Sequence, residues 1–495
     1  MNASAGQALY SAAGTRALDR AAIETHGIAG FELMQRAAAA AWAELGRRWP
    51  QAGRIAVVCG TGNNGGDGFV VAALARRAGL AVDLYLVGAR ERIGGDAARA
   101  LALADDAGLA PSPLPESLDS AQVVVDALLG TGLDREVRGA HGEAIARINA
   151  SGRPVLAIDI PSGLEATTGA CLGVAVAAQV TVSFIGLNQG LFTGAGPALV
   201  GEVVFAGLDL PGACYEAVPA SARLVAWSDL RERLAPRART AHKGRFGHVL
   251  VVGGAPGYGG AARMAAEAAA RVGAGLVSLA THPAHAAALT QSRPEIMCHA
   301  IADGAALRAL ARRASVVALG PGLGQEAWGR ELFASARALP LPQVLDADAL
   351  NLLARDPDHA ARRILTPHPG EAARLLDGDT ATIARDRFAA AAALAARFGG
   401  VALLKGAGTL IAAPAAVPVV VRGGNPGMAS GGMGDVLTGV IAGLVAQGHP
   451  LAEAAALGAC VHAEAADRAA AADGERGLLA ADLMPWLRRA VNPRP

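Results

Sequence analysis

Two successive series of apolar segments constrain this chain more than any other feature. Each segment ends in a glycine-bearing or polar turn and is followed by a helical stretch. The first series reads RIAVVCG, AVDLYLVG, QVVVDALLG, PVLAIDIPSG, VTVSFIG and EVVFAGLDL. The second reads GHVLVVGG, AGLVSLAT, SVVALGPGLG, QVLDADAL, RILTPHPGE and VALLKGAGTLI. Strand, turn and helix in repetition predict mostly parallel sheets flanked by helices, an α/β class. A long helical pattern over residues 16–48 precedes the first series, and GDVLTGVIAGLVAQG and LAEAAALGACVHAEAADRAA close the second. The alternation lapses near Pro211, in a Pro- and Ala-dotted segment with no strong strand. Two α/β domains are therefore expected, residues 1–215 and 225–495, with no internal repeat relating them.

The chain's 495 residues exceed what one hydrophobic core usually serves. With 52% hydrophobic and 18% charged residues, a large core is available and disorder is not expected. A net charge of +1 gives no electrostatic reason for nucleic acid or an anionic membrane as partner, which leaves small metabolites. Cys59, Cys171, Cys214, Cys298 and Cys460 form no C-x-x-C pair, as suits a reducing compartment. The opening residues lack a signal-peptide pattern, and ACLGVAVAAQVTVSFIGL reads as buried strands rather than a membrane span. A cytoplasmic protein is expected. Only Lys243 and Lys405 among the 44 basic residues are lysine. Either codon usage favours arginine, or a compact ammonium is needed at those positions.

GTGNNGGDG, residues 60–68, satisfies G-x-G-x-x-G and so spells a dinucleotide-binding loop. Asp83, the acid that would hold a ribose, lies near the start of its strand and hence at the wrong end. Asn63, Asn64 and Asp67 add hard oxygen donors suited to a cation or to sugar hydroxyls. Asp126 in VVVDALLGTG and Asp159 in LAIDIPSG each follow a buried apolar run. One such acid could be a helix cap. Two of them, with Ser162 and the Asn-rich loop at one sheet edge, point to a site.

In this order and spacing, GNNGGDG, DALLGTG and DIPSG resemble the NAD(P)H-hydrate epimerase domain, over about residues 10–213. The resemblance implies a Rossmann-like fold and a potassium ion held by Asn64, Asp126 and Ser162. It implies contacts to the hydrated nicotinamide nucleotide from Asn63, Asn64, Gly65, Gly66 and Asp67. Gly130, Thr131, Gly132, Leu133, Asp134, Arg135 and Glu136 complete those contacts. Asp159 matches the acid beside the nicotinamide ring and is the expected proton-handling group. The substrate's hydroxyl sits on a carbon next to the ring nitrogen, whose lone pair helps it leave. An acid at that carbon would assist departure and return.

In the second half, GMASGGMGDVLTGVIAG opens successive glycines onto a helix, so N–H groups and the helix dipole converge on an anion. Asp435 stands at the mouth of that anion hole, where it could take a proton from an attacking hydroxyl or merely cap the helix. The pattern resembles the ribokinase-like superfamily. Together with AHKGRFGHVLVVGGAPGYGGAA, GPGLG, LDADALN, TPHPGE and LLKGAGT, it is similar more narrowly to the ADP- or ATP-dependent NAD(P)H-hydrate dehydratase, over about residues 225–490. That implies nucleotide contacts from Lys405, Gly406, Ala407, Gly408, Thr409 and Gly434, and hydrate contacts from Ala261, Gly322, His368 and Asp435. ADP is the expected phosphoryl donor, favoured by resemblance to bacterial two-domain members, with magnesium; Glu371, at a helix start, either helps hold that ion through water or merely complements the helix dipole. Lys243 is expected to steady phosphate charge; Asp346 and Asp348 receive no role. Phosphorylating the hydroxyl would turn a poor leaving group into a good one. The fusion thus reads as a repair enzyme for both epimers of hydrated NADH and NADPH, expected to form homo-oligomers. The alternative is a small-molecule kinase carrying a non-catalytic nucleotide-binding regulator.

Overall fold

A computed structural model describes residues 6–492. The chain divides into two compact units, residues 8–222 and residues 223–492, the latter joined by residues 6 and 7.

In the first unit six strands form one sheet: β2 (Arg54–Cys59), β3 (Ala81–Leu86), β4 (Val123–Ala127), β5 (Val155–Ile158), β6 (Val180–Phe184) and β7 (Glu202–Ala206). A short strand, β1 (Gln7–Leu9), precedes them. The order is β3-β2-β4-β5-β6-β7, every pair parallel. Both faces are covered, so the strands read as continuous apolar runs rather than alternating ones. Ile55, Val57 and Cys59 enter one core, with helices Gly30–Arg48, Asn63–Arg77 and Gly95–Asp106. Ala56 and Val58 enter another, with helix Gly139–Ala150. Because β3 and β4 leave β2 on opposite sides, a crevice opens at the carboxyl ends of β2 and β4.

The expected helix over residues 16–48 is two helices. Ala12–Arg20 runs into a π-helical turn, Ala21–Thr25, and stops; a new helix begins at Gly30. Gly27, with φ of +67°, makes the turn between them. Of the apolar stretch at residues 170–187 only Val180–Phe184 is strand, the rest being turns and irregular chain. Among the described residues no helix is long and apolar enough to cross a membrane.

The second unit holds β8 (Ala222–Val225), β9 (His248–Val252), β10 (Leu276–Thr281), β11 (Met297–Ala300) and β12 (Val316–Leu319). It continues with β13 (Gln343–Leu345), β14 (Arg363–Leu365), β15 (Val401–Leu404), β16 (Leu410–Ala412) and β17 (Val419–Val421). Strand β8 lies in the segment that carries no strong strand signal. The order from β11 is β11-β10-β9-β12-β13-β14-β15-β16-β17-β8-β1. It is parallel as far as β15; β16 is antiparallel to both its neighbours. Helices Gly259–Arg271, Met433–Ala446 and Leu451–Asp473 cover one face, burying Val249, Val251, Ala318, Val344 and Leu403.

Candidate functional site

The carboxyl edge of the first sheet gathers the expected groups. Asn63–Asp67, expected as a loop, form the first turn of helix Asn63–Arg77. The reason is close packing. A Cβ at Gly65 would lie 2.0 Å from the carbonyl oxygen of Gly60, so only glycine lets the helix start against β2. Gly65 and Gly66 are accordingly buried and stay out of the cleft, whereas Asn63, Asn64 and Asp67 line it.

Asp126, the fourth residue of β4, and Ser162, beyond β5, are both fully buried. The Ser162 hydroxyl donates to Asp126 Oδ1 at 2.6 Å and its backbone N–H to Oδ2 at 2.8 Å. Ser162 Oγ also accepts from the Leu129 N–H at 2.8 Å, which anchors the following turn. Burial outweighs these donors and pushes Asp126 up to about 6. Asn64 is buried, and neither its amide oxygen nor its amide nitrogen has a partner among the described residues.

Asp159 follows β5 with φ of +67°, an uncommon backbone for a non-glycine residue. It accepts from the Thr131 N–H at 3.3 Å. Burial, opposed by that N–H, raises its carboxyl to about 7. Asp67 is raised well above its usual range by burial, with the Asp159 and Asp19 charges adding to the effect.

Asn63, Asn64, Asp67 and Asp159 wall a cleft of about 590 Å³, whose lining does not include Asp126 or Ser162. Gly130, Thr131, Gly132, Leu133, Asp134 and Arg135 line it; Glu136 does not, and pairs instead with Arg138 in solvent. Asp83 is bound to Arg54 at 2.8 Å, far along β3 from the cleft. Thr15, Arg16 and Asp19, from helix Ala12–Arg20, form a wall that the sequence reading missed. The signal was present in their i, i+4 spacing, but it blended with an ordinary helix face.

In the second unit the edge residues come from β13, β14 and β15. Asp346 is 1% exposed; its Oδ1 meets Lys405 Nζ at 2.7 Å, and its Oδ2 accepts from Thr438 Oγ1 at 2.8 Å. Burial opposes both charges, yet each partner outweighs it. Asp346 is held below the usual carboxylate range and Lys405 above the usual amine range. Lys405 also lies 3.7 Å from Glu371. The Lys405 backbone N–H donates to Pro367 at 2.8 Å, tying the 405–409 turn to the segment that carries His368.

His368 and Glu371 form a reciprocal cap on helix Pro369–Leu375: the His368 N–H donates to Glu371 at 2.8 Å, and Nδ1 accepts from the Gly370 N–H at 3.0 Å. The His368 ring is thus tied to the helix start through Nδ1. Burial raises Glu371 to about 7.

Helix Met433–Ala446 starts from Gly432, whose φ of +91° suits only glycine. Asp435 sits in its first turn, raised to about 7 by burial and then by the Asp346 charge, against Lys405. Gly434 is so near that a Cβ there would be 3.1 Å from Lys405 Nζ. Ala261 and Gly322 are also brought together: a Cβ on Gly322 would lie 3.3 Å from that of Ala261.

Three residues of the second half fall differently from expectation. Asp348 clamps the GPGLG turn, accepting from the Gly324 N–H at 2.9 Å and from Gln325 at 3.0 Å. Lys243 is exposed in the short helix Lys243–Phe246, just before β9. It therefore belongs to the amino edge of the sheet, while the acids and Lys405 occupy the carboxyl edge. The expected role in steadying phosphate charge does not fit that position. Arg387, which sequence reading overlooked, is 5% exposed and donates to the carbonyls of Leu404 and Lys405 at 3.3 Å each, bracing the 405–409 turn from beneath. Among the described residues no group of three or more His, Cys, Asp or Glu side chains converges to hold a metal ion.

A family described as NAD(P)H-hydrate dehydratase matches residues 249–489, and one described as YjeF-related protein N-terminus matches residues 30–190. The bifunctional NAD(P)H-hydrate repair enzyme Nnr of Coxiella burnetii is 50% identical over 486 residues, 98% of this chain and 99% of its own length. Its Escherichia coli counterpart is 43% identical over 96% of this chain and 92% of its own length. A ribokinase-like superfamily protein from Enterococcus faecalis superposes with a TM-score of 0.51 at 29% identity, covering 55% of this chain and 96% of that one. With two edge-of-sheet sites on one chain and matches of this extent, the protein belongs to the family of bifunctional NAD(P)H-hydrate repair enzymes.

Proposed function

We propose that the two activities of this bifunctional repair enzyme divide between Asp159 and Asp435. The observation that carries this reading is that each is a carboxyl raised to about 7, one at each sheet edge. A group poised near neutrality can both give and take a proton. At the first site Asp159 protonates the departing hydroxyl of the hydrate, and the ring nitrogen supplies the electron pair. Return of water on the other face gives the epimer. At the second, Asp435 takes the proton of the hydrate's hydroxyl as a phosphoryl group is transferred from ADP. The N–H groups at the start of helix Met433–Ala446 and the Lys405 ammonium meet the transferring charge. Phosphate then leaves, and loss of a neighbouring proton restores the dihydronicotinamide. Full-length likeness to bifunctional relatives favours two catalytic sites over a kinase with a non-catalytic regulator.

Asn64, Asp126 and Ser162 fit a potassium ion: an unpartnered buried amide oxygen and a wholly buried carboxylate are groups a cation would satisfy. Bound there, the ion supplies positive charge that offsets the buried carboxylate. Magnesium suits the second site as a companion of the nucleotide phosphates and waters, with Glu371 the nearby carboxylate, since no all-protein cage is present among the described residues. We include in the proposal the domain limits 1–215 and 225–495, a homo-oligomer and a cytoplasmic location.

The test is to supply both epimers of NADPH hydrate with ADP and magnesium and to follow reduced-nicotinamide absorbance. Both epimers should be consumed in potassium. In sodium, or in Asp126→Ala, one should persist. Nucleotide consumption without any dihydronicotinamide formed would overturn the mechanism.

A further inference from the structure

We propose that Asp19 is the second proton-handling group of the epimerase cleft, serving the face of the ring opposite Asp159; this rests on reading that cleft as the epimerase site. Epimerisation at a hydroxyl-bearing carbon has a geometric demand that a single acid on one wall meets poorly. Hydroxyl leaves from one face, and water must add from the other with loss of a proton there. Five acids line the cleft, Asp19, Asp67, Asp96, Asp134 and Asp159, and Asp19 and Asp159 reach it from elements of different origin. Asp159 comes from the turn after β5, at the floor formed by the sheet edge. Asp19 comes from helix Ala12–Arg20, which is fastened over the sheet by separate bonds. Thr15 Oγ1 donates to Asn188 Oδ1 at 2.9 Å, and the Ala12 N–H to Thr167 Oγ1 at 3.1 Å.

Three observations set Asp19 apart from a surface acid. It is half-buried in the cleft wall, and among the described residues no hydrogen bond or ion pair engages its carboxylate. Its helix passes at the next residue but one into the π-helical turn Ala21–Thr25, an irregularity that recurs at functional sites. Burial, opposed by the adjacent Arg20, also raises it to about 6, and its charge is felt by both Asp67 and Asp159. Two carboxyls that share a cleft in this way favour one protonated and one ionised partner.

The step then balances. Protonated Asp159 gives its proton to the hydroxyl, the C–O bond breaks, and the ring nitrogen lone pair forms C=N⁺, releasing water. A water on the opposite face forms a new C–O bond as the C=N⁺ pair returns to nitrogen, and its proton passes to ionised Asp19. One proton has moved between the acids and one oxygen has been exchanged with solvent. The reverse reaction uses the same groups with their roles swapped.

The test follows a single epimer in H₂¹⁸O with the full-length chain, measuring inversion and oxygen exchange separately and melting temperature alongside. In the parent enzyme the two should proceed together. Asp19→Asn should lose inversion by about 100-fold or more, the range for a removed acid–base group. Asp159 alone can still expel and readmit water on its own face, so exchange with retention should persist. Asp19→Glu should recover part of the inversion, and is read on the same ratio should the Asn variant fail to fold. Asp159→Asn should abolish both processes; if it spares them, the reading of the cleft itself falls. Inversion within about threefold of the parent in Asp19→Asn, or equal loss of inversion and exchange in a folded variant, would overturn the role of Asp19.

Discussion

Both units start a glycine-bearing helix at the carboxyl edge of a mostly parallel sheet, yet the two edges carry opposite electrostatics. At the first, Asp19, Asp67 and Asp159 share a cleft with no buried cation among the described residues, and burial pushes these three and the nearby Asp126 up. At the second, an ammonium is buried among the acids and holds Asp346 ionised. The glycines differ likewise. Gly65 is consumed by backbone packing, whereas Gly431 at the second helix start faces open space. One edge is built to move protons and water; the other is built to receive an anion. Sequence motifs alone make the two look alike, because both present Gly-Gly-x-Gly runs near aspartate.

The largest expected effect that separates the two sites is on rate. Asp435→Asn should lower dehydration by about 10²- to 10⁴-fold while leaving epimerisation intact; loss of both would mean the sites are not independent. Next comes the buried pair. Lys405→Met strands Asp346 and should cost the second unit about 3–5 kcal/mol in a denaturant titration. The first unit should not respond. Gly65→Ala forces a Cβ against the Gly60 carbonyl and should destabilise the first unit by about 1–3 kcal/mol, with no effect on dehydration of the ready epimer.

The acids of the first edge predict a smaller, signed effect of pH. Asp19, Asp126 and Asp159 titrate near 6 to 7 in the folded chain, above their ordinary 3.8. A raised folded value means stability fully present below about 4 and lost as pH rises through 6 to 7. The first unit should therefore melt lower at pH 8 than at pH 5, by on the order of 1 kcal/mol per contributing acid, and potassium should reduce the loss. A melting temperature that climbs over this range would contradict the assignment. Last, Arg54→Ala removes only the exposed pair with Asp83 and should cost under about 1 kcal/mol with unchanged epimerisation. Any larger loss of activity would restore Asp83 to the site.

Much of this was legible in the chain. The apolar runs that end in Asp126 and Asp159 announce both the strands and the edge at which their acids stand, because parallel strands bury both faces and bind ligands beyond their carboxyl ends. The helical start at Asn63 was hidden, since glycine and asparagine are loop residues by propensity, and only the close approach of Gly65 to Gly60 makes them helical. Asp346 gave no sign of its role because its partner lies 59 residues away at Lys405. Asp19 was hidden for a related reason: LDR in a helix is an ordinary exposed pattern until tertiary packing places it in the cleft wall. Three-dimensional proximity of distant polar residues is the part that a linear pattern carries least.

The two lysines have a practical consequence. Lys405 is paired and mostly covered, and Lys243 stands in solvent at the amino edge of the second sheet. An amine-reactive dye, tether or surface will therefore find, apart from the α-amino group, one accessible lysine on a 495-residue chain. Attachment at Lys243 leaves the carboxyl edge of the second sheet unobstructed, so side-chain amine labelling falls at one defined point.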